Sequence, residues 1–375
     1  MENPFVIKSY ESKDLFCDRE EELQLMLRNC VNHSDMTLIS QRRMGKTGLI
    51  YRLFDELHEV RPDIHTIYLD IFASRSIDDF IKLLAEAAMK SFQPKTSMGD
   101  KLLTFIKSLR PQLSFDNITG EPQLQIAYQT AHEKEYTLRG LFDFLDSQNE
   151  PIVMAIDEFQ QIREYPEQNM EALLRTYIQQ MHNLTFIFCG SKKHLMTDIF
   201  TNEKKPFYSS TTFVSLGKIS EESYSPFIRQ LMNRGQRSIT DEALQFILDW
   251  TRRHTYFTQQ LCHTVYANGD SIIGIEEVKN ACQQIMKQGE AVWLQYRQML
   301  TDKQWDYLIA VAKDGSVQQI TSSEFLKRHK IGTPSVSRRL ADALCEKGLL
   351  NDDVTLNGTI YSISDVFLSH WMERL

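Results

Sequence analysis

The 375 residues exceed what one compact domain usually holds, so the chain divides among two or three cores. Its 42% apolar and 25% charged residues are the balance of a globular protein, and a net charge of −8 argues against wholesale wrapping of nucleic acid. Only 15 glycines exclude a Gly-rich linker or fibrous repeat and make each glycine at a tight turn informative. Met1–Tyr10 lacks the pattern of a secretory signal, and no apolar run approaches the roughly 20 residues that span a bilayer. Cys17, Cys30, Cys189, Cys262, Cys282 and Cys345 show neither CxxC nor zinc spacing. The chain therefore reads as cytoplasmic, with reduced thiols and no membrane partner.

In chain order, the first half alternates short β-type runs with helical patterns, the mark of a parallel sheet covered by helices. The predicted strands are Met36–Ile39, Thr66–Ile71, Ile152–Ile156, Thr185–Cys189 and Thr212–Leu216. The predicted helices between them lie near Arg19–Val31, Lys46–Glu59, Ser76–Ser91, Leu138–Ser147 and Met170–Met181. Gln112–Ile126, with Asn117-Ile-Thr-Gly120 at its centre, predicts an inserted β-hairpin. After Leu216 the β signal stops. Ser220-Glu-Glu and Thr240-Asp-Glu are helix starts, a hydroxyl cap followed by acids. Helical patterns at Asp302–Ala312, Ser323–His329 and Ser335–Lys347, then two apolar runs around Asn357-Gly358, outline a winged helix-turn-helix. The expected domains are 1–217, a sheet domain; 218–288, a helical subdomain; and 289–375, the winged helix.

The strongest motif is Leu38-Ile-Ser-Gln-Arg-Arg-Met-Gly-Lys-Thr47, a strand running into a turn and a helix that opens with Gly-Lys-Thr. Inward backbone N–H groups of such a turn cradle phosphates above a helix N-terminus. The loop to Gly48 supplies the candidate nucleotide contacts Ser40, Gln41, Arg42, Arg43, Met44, Gly45, Lys46, Thr47 and Gly48. Gly45 lets the backbone approach the β-phosphate, Lys46 reaches the β- and γ-phosphates, and the Thr47 hydroxyl is the candidate Mg²⁺ ligand. Ser40 stands where the usual pattern has its first glycine, supplying small size but not conformational freedom. Pro151-Ile-Val-Met-Ala-Ile-Asp-Glu158 describes a buried strand with carboxylates at its C-terminal edge, where such sheets bind ligands. Asp157 is the candidate to hold Mg²⁺ through water, and Glu158 the candidate to deprotonate an attacking water. Phe186-Ile-Phe-Cys-Gly-Ser191 ends a further strand. Ser191 there suits a γ-phosphate sensor, although Gly-Ser also ends strands for turn reasons alone.

Phe16-Cys-Asp-Arg-Glu-Glu-Glu-Leu23 resembles an F-x-x-R-E-x-E-L box, Arg42–Ile50 an RRxGKTxLI loop, and Gly190-Ser191, Met196 and Lys205-Pro-Phe-Tyr208 a GS…M…PFY stretch. With the winged helix, these resemble the archaeal-type AAA+ ATPases, grouped with the STAND NTPases and related to origin-recognition initiators. The resemblance covers nearly the whole chain. It implies an α/β P-loop core of the ASCE type with sheet order 5-1-4-3-2, a helical lid, ATP and Mg²⁺ as ligands, and slow hydrolysis coupled to conformational change. It further implies that Asp18 and Arg19 line the adenine side and that Ser191 is the first sensor. The lid turn departs from the pattern, with Arg253-His-Thr255 in place of Gly-His-Pro. Arg252 or Arg253 then suits either a second sensor or a cation at a helix end.

Between Ala291 and Leu375 ten cations balance ten anions, yet no acid falls between Lys327 and Ala341. Arg338 and Arg339, in the first turns of the recognition helix, are the candidate DNA contacts, with Thr333, Ser335 and Ser337 available to phosphate oxygens. The same surface suits docking on a protein. The chain reads as a nucleotide-controlled switch acting on double-stranded DNA or a protein, alone or as a homo-oligomer. The alternative is a non-hydrolysing nucleotide-binding scaffold. Phe142, Phe144, Trp250, Trp293, Trp305 and Trp371 are expected packing residues.

Overall fold

The computed structural model describes residues 2–92, 97–108, 112–115, 122–125, 131–269, 271–355 and 358–375. The chain forms two compact units, Ser12–Gly217 and a second that joins Met1–Glu11 to Lys218–Leu375.

The first unit runs α1 (Glu20–Val31), β1 (Met36–Ile39), α2 (Lys46–Val60), β2 (His65–Asp70), α3 (Ile77–Ser91), α4 (Ser97–Ser108), β3 (Gln112–Phe115), β4 (Pro122–Gln125), α5 (Ala131–Asp146), β5 (Ile152–Asp157), α6 (Met170–Ile178), β6 (Leu184–Gly190), α7 (Lys193–Thr201) and β7 (Thr212–Ser215). Five strands form one parallel sheet in the order β2-β5-β6-β1-β7. Counted among the core strands this is 2-3-4-1-5, the expected 5-1-4-3-2 read from the other edge. The central strands β5 and β6 are buried at every position, which is why they read as unbroken apolar runs. Side chains alternate between two cores: Met154, Ile156, Phe186 and Phe188 join one, and Val153, Ala155, Ile187 and Cys189 the other.

The predicted hairpin exists as the antiparallel pair β3–β4, while its expected turn at Asn117–Gly120 lies outside the described residues. Helix α4 had no counterpart among the predicted elements, and α5 begins several residues earlier than its pattern suggested. Phe159, Phe188, Phe200 and Phe207 form an aromatic cluster under the sheet, with Phe159 and Phe188 centroids 4.6 Å apart. All six cysteines are free, five of them buried.

The second unit contains α8 (Glu221–Arg234), β8 (Ser238–Ile239), α9 (Asp241–Trp250), α10 (Thr255–Ala267), β9 (Ile272–Ile273), α11 (Ile275–Met299), α12 (Asp302–Lys313), α13 (Ser323–Arg328), α14 (Pro334–Glu346), β10 (Leu350–Thr355), β11 (Gly358–Ile363) and α15 (Val366–Met372). Ser220 and Thr240 cap α8 and α9 by accepting from the N–H groups of Ser223 and Ala243, as their hydroxyl-acid signatures predict. Helix α11 passes through positions 288 and 289 without a break. Within this unit Trp250 stacks on His370 at 4.5 Å, and His370 Nε2 donates to the Trp250 carbonyl at 2.8 Å. Trp293, Trp305 and Trp371 are buried together near α15. Phe5 of the N-terminal segment packs on Tyr266. No helix among the described residues is long and apolar enough to cross a membrane.

Asp35, immediately before β1, joins it to β6 by accepting from the Phe186 N–H at 2.8 Å. Burial pushes its carboxyl from 3.8 up to about 6, against the opposing pull of the Phe186 hydrogen bond and the Arg175 charge. A raised carboxyl contributes stability that is complete below its unfolded pKa and lost as pH rises through about 6. Asp35→Asn, which keeps an acceptor for Phe186, is expected to stabilise the first unit at pH 7.5 by about 1–3 kcal/mol and to have little effect at pH 3.5. Thermal unfolding of both proteins across this range checks it.

Candidate nucleotide-binding site

The site is built at the C-terminal ends of β1 and β5, which flank β6 in the sheet. Ser40 follows β1, is fully buried, and donates its hydroxyl to the Gln41 carbonyl at 2.9 Å. It is not among the residues with positive φ, so the missing glycine removes a freedom that this backbone does not use. The left-handed conformations fall instead at Arg43 (φ 64°) and at Gly45 (φ 98°), the N-cap of α2, where glycine is needed. Gly48 has a second reason, because a Cβ there would meet the Phe16 ring at 3.2 Å. Gln41 is half-buried, Arg42 and Arg43 are exposed, and Met44 points into the protein.

Lys46 turns back over the loop. Its Nζ lies 3.4 Å from the Ser40 carbonyl, the Ser40 hydroxyl and the Gln41 carbonyl. Burial holds its ammonium below the ordinary lysine range, and the nearby Glu158 and Asp157 charges oppose that shift. Three long contacts are weak satisfaction for a buried cation.

Asp157 and Thr47 come together although 110 residues separate them. The Thr47 hydroxyl donates to Asp157 Oδ2 at 3.0 Å, while Asp157 Oδ1 accepts from the Glu158 N–H at 3.0 Å. Asp157 is only 6% exposed and Thr47 is open to solvent. A hydroxyl and a carboxylate are hard oxygen donors of the kind Mg²⁺ takes with nucleotide phosphates, so the residues fit that ion.

Glu158 takes the left-handed conformation (φ 55°) as the chain leaves β5. Its Oε2 accepts from the Ser191 hydroxyl at 2.8 Å and from the Gln160 amide. Ser191 and Glu158, predicted separately, therefore meet. Gln160 was not predicted, and neither was the need for Gly190, where a Cβ would overlap Gln160 and Met196. Tyr68 also escaped the sequence reading; its hydroxyl donates to Asp157 Oδ2 at 2.6 Å. Burial, then the Asp157 charge, pushes its phenol far above the usual range. Asp70 ends β2 in register with Asp157, and its carboxyl is raised by burial and then by Asp157 and Glu158. A signal existed, since 5-1-4-3-2 puts β2 beside β5, but the residue pairs needed the register.

Asp18 and Arg19 both have positive φ, 63° and 80°. The buried Arg19 guanidinium donates to the Gly217 carbonyl at 2.6 Å and pairs with Glu22 at 3.1 Å. In the second unit, Arg252 and Arg253 adopt the left-handed conformation after α9. Arg252 is committed to Gly315, Ser369 and Glu373, so it is a structural cation there and not an available sensor. Arg338 and Arg339 are exposed on α14, whereas Ser337 is fully buried and hydrogen-bonded to Tyr307 and the Ile320 carbonyl. The expectation that Ser337 meets phosphate is thereby corrected: it lies on the inward face with Ala341 and Leu344. The basic run is also partly neutralised, as Asp314 engages both Arg328 and His329.

The architecture defines a P-loop ATPase core of the AAA+ type joined to a winged helix. In comparison with known proteins, residues 32–196 match the AAA domain family, and residues 291–374 match the family described as a probable winged helix domain. The chain carries an AAA domain followed by a C-terminal winged helix domain. Its fold is similar to that of the Walker-type ATPase PABY2304 of Pyrococcus abyssi (TM-score 0.67, 18% identity, 99% of this chain and 100% of that one). It is also similar to the ORC2 protein of Aeropyrum pernix in ADPNP–ADP complexes (0.62, 14%, 99% and 96%). The Aeropyrum pernix ORC1 protein in complex with DNA aligns at 0.52 with 12% identity over 96% of this chain and 93% of that one. No curated protein sequence matches the chain significantly.

Proposed function

We propose that this protein is an ATP-binding, slowly hydrolysing switch whose nucleotide state controls its winged helix. The observation that carries the reading is the meeting of Thr47 and Asp157 at 3.0 Å beside a buried Lys46 and a Glu158–Ser191 pair. In this reading the loop N–H groups from Gln41 to Gly48 hold the phosphates, and Lys46 exchanges its long carbonyl contacts for phosphate oxygens. Thr47 and Asp157 would hold a Mg²⁺ ion that supplies charge neutralisation to the phosphates. Glu158 takes the proton of an attacking water, and Ser191 orients Glu158 or touches the γ-phosphate. Asp18 and Arg19 lie toward the base, Asp18 being the nearer candidate because the Arg19 guanidinium is engaged with Gly217 and Glu22.

A second reading, a nucleotide-binding scaffold without turnover, draws on Glu158, whose carboxylate is tethered by Ser191 and Gln160. Release of that tether is then the slow step of the switch, or never happens. Lys46→Ala is expected to lose ATP binding and Glu158→Gln to retain it while phosphate release falls at least about 100-fold. Equilibrium binding of labelled ATP and a phosphate-release assay check both, and turnover that survives the two substitutions overturns the reading.

Exposed Arg338 and Arg339 make duplex DNA the proposed target of the winged helix, as the DNA complex of the similarly folded ORC1 protein also suggests. Titration of duplex DNA at two salt concentrations is expected to give a steep negative salt slope. Replacing both arginines by alanine is expected to weaken binding about ten-fold or more. Binding that is absent, or unchanged in the double variant, leaves a protein as the target.

A further inference from the structure

Tyr68 stands on β2, outside every motif that defines the nucleotide site, yet its hydroxyl makes the shortest contact to the central carboxylate, 2.6 Å to Asp157 Oδ2. The parallel register places Tyr68 opposite Ala155 and so brings its ring alongside the end of β5. Tyr51 braces it from the other side, the two rings lying 5.1 Å apart at 37°. Tyr51 is four residues after Thr47 on α2, on the same helix face. Thr47, Tyr51, Tyr68 and Asp157 therefore form one assembly from α2, β2 and β5.

Asp157 has each oxygen committed. Oδ2 accepts from the Thr47 and Tyr68 hydroxyls and Oδ1 from the Glu158 N–H. Thr47 can remain a donor to Asp157 while its oxygen lone pairs face a cation, but its exposed side chain is a poor anchor. The Glu158 N–H belongs to a residue whose own conformation is left-handed at the exit of the strand. Tyr68 is the donor held by ring packing and carried on a strand outside the phosphate loop. Groups that orient a metal-holding carboxylate set metal affinity without touching the metal.

We propose that Tyr68 is a positioning residue for magnesium: its phenol fixes the Asp157 carboxylate in the orientation that receives the hydrated ion with the nucleotide. The proposal rests on the nucleotide-binding reading above. Without the phenol, Oδ2 keeps only the Thr47 hydroxyl, and the ion finds a carboxylate that must be reoriented.

The test is binding of a fluorescent ATP analogue to the full chain, titrated with Mg²⁺ from EDTA-buffered zero upward. Tyr68→Phe keeps the ring and its packing on Tyr51. It is expected to require about ten-fold more Mg²⁺ for the half-maximal increase in affinity, with affinity in EDTA unchanged. A wild-type Mg²⁺ curve in Tyr68→Phe overturns the proposal alone. An equal loss of affinity in EDTA and in Mg²⁺ also overturns it, by assigning Tyr68 to packing. Failure of the wild-type chain to bind the analogue at all overturns the nucleotide reading together with it.

Discussion

A carboxylate buried at the edge of a sheet is unstable unless donors surround it, and Asp157 meets that demand with three. The Thr47 hydroxyl comes from α2, the Tyr68 hydroxyl from β2 and the Glu158 N–H from its own strand's exit. The desolvation that makes Asp157 costly thus also ties three elements of the first unit together. Of the three donor groups, the Thr47 side chain is the one exposed to solvent. Lys46 is the mirror case: a buried cation with only distant carbonyl and hydroxyl partners. Under the proposed function, an under-satisfied cation next to an oriented carboxylate preorganises the site for a phosphate with a hydrated divalent ion.

Sheet topology makes this assembly inevitable once the strands form. The order β2-β5-β6-β1-β7 sets β5 between the strand that carries Tyr68 and the strand that leads to Ser191. Glu158 can then reach Ser191 at the end of β6, and Gly190 leaves room for Gln160 to cross beneath. In the second unit the constraints are apolar and aromatic. Trp250, His370 and Phe367 stack in series, and Arg252 reaches Gly315, Ser369 and Glu373, so the residues after α9 are fastened to α15. A change at the end of α9 is therefore felt directly by the last helix of the winged unit.

Much of this was legible beforehand because the relevant signals are local. Fully buried parallel strands read as apolar runs, a Gly-Lys-Thr helix start needs only neighbouring residues, and hydroxyl-acid caps mark helix starts within four positions. What stayed hidden depends on pairing across long separations. Tyr68 meets Asp157 over 89 residues and only in one register, and a tyrosine in a strand ordinarily signals nothing beyond β propensity. Gln160 sits in a 3₁₀ helix of six residues, Phe159–Glu164, too short to show a periodic pattern. Ser40 was suspected for the wrong property, since the positive dihedrals fall at Arg43 and Gly45. Ser337 was assigned to a ligand, yet its spacing with Ala341 and Leu344 already marked the inward face of the helix.

The account stands on Asp157 as the group through which a divalent ion strengthens nucleotide binding. The direct measurement is the rise in thermal midpoint of the full chain on adding ATP, in EDTA and in excess Mg²⁺, for wild type and Asp157→Asn, since ligand that binds only the folded state raises the midpoint with its affinity. The account predicts a larger rise with Mg²⁺ than in EDTA for wild type, and the loss of that increment in Asp157→Asn with the EDTA rise retained. A Mg²⁺ increment of wild-type size in Asp157→Asn would contradict it.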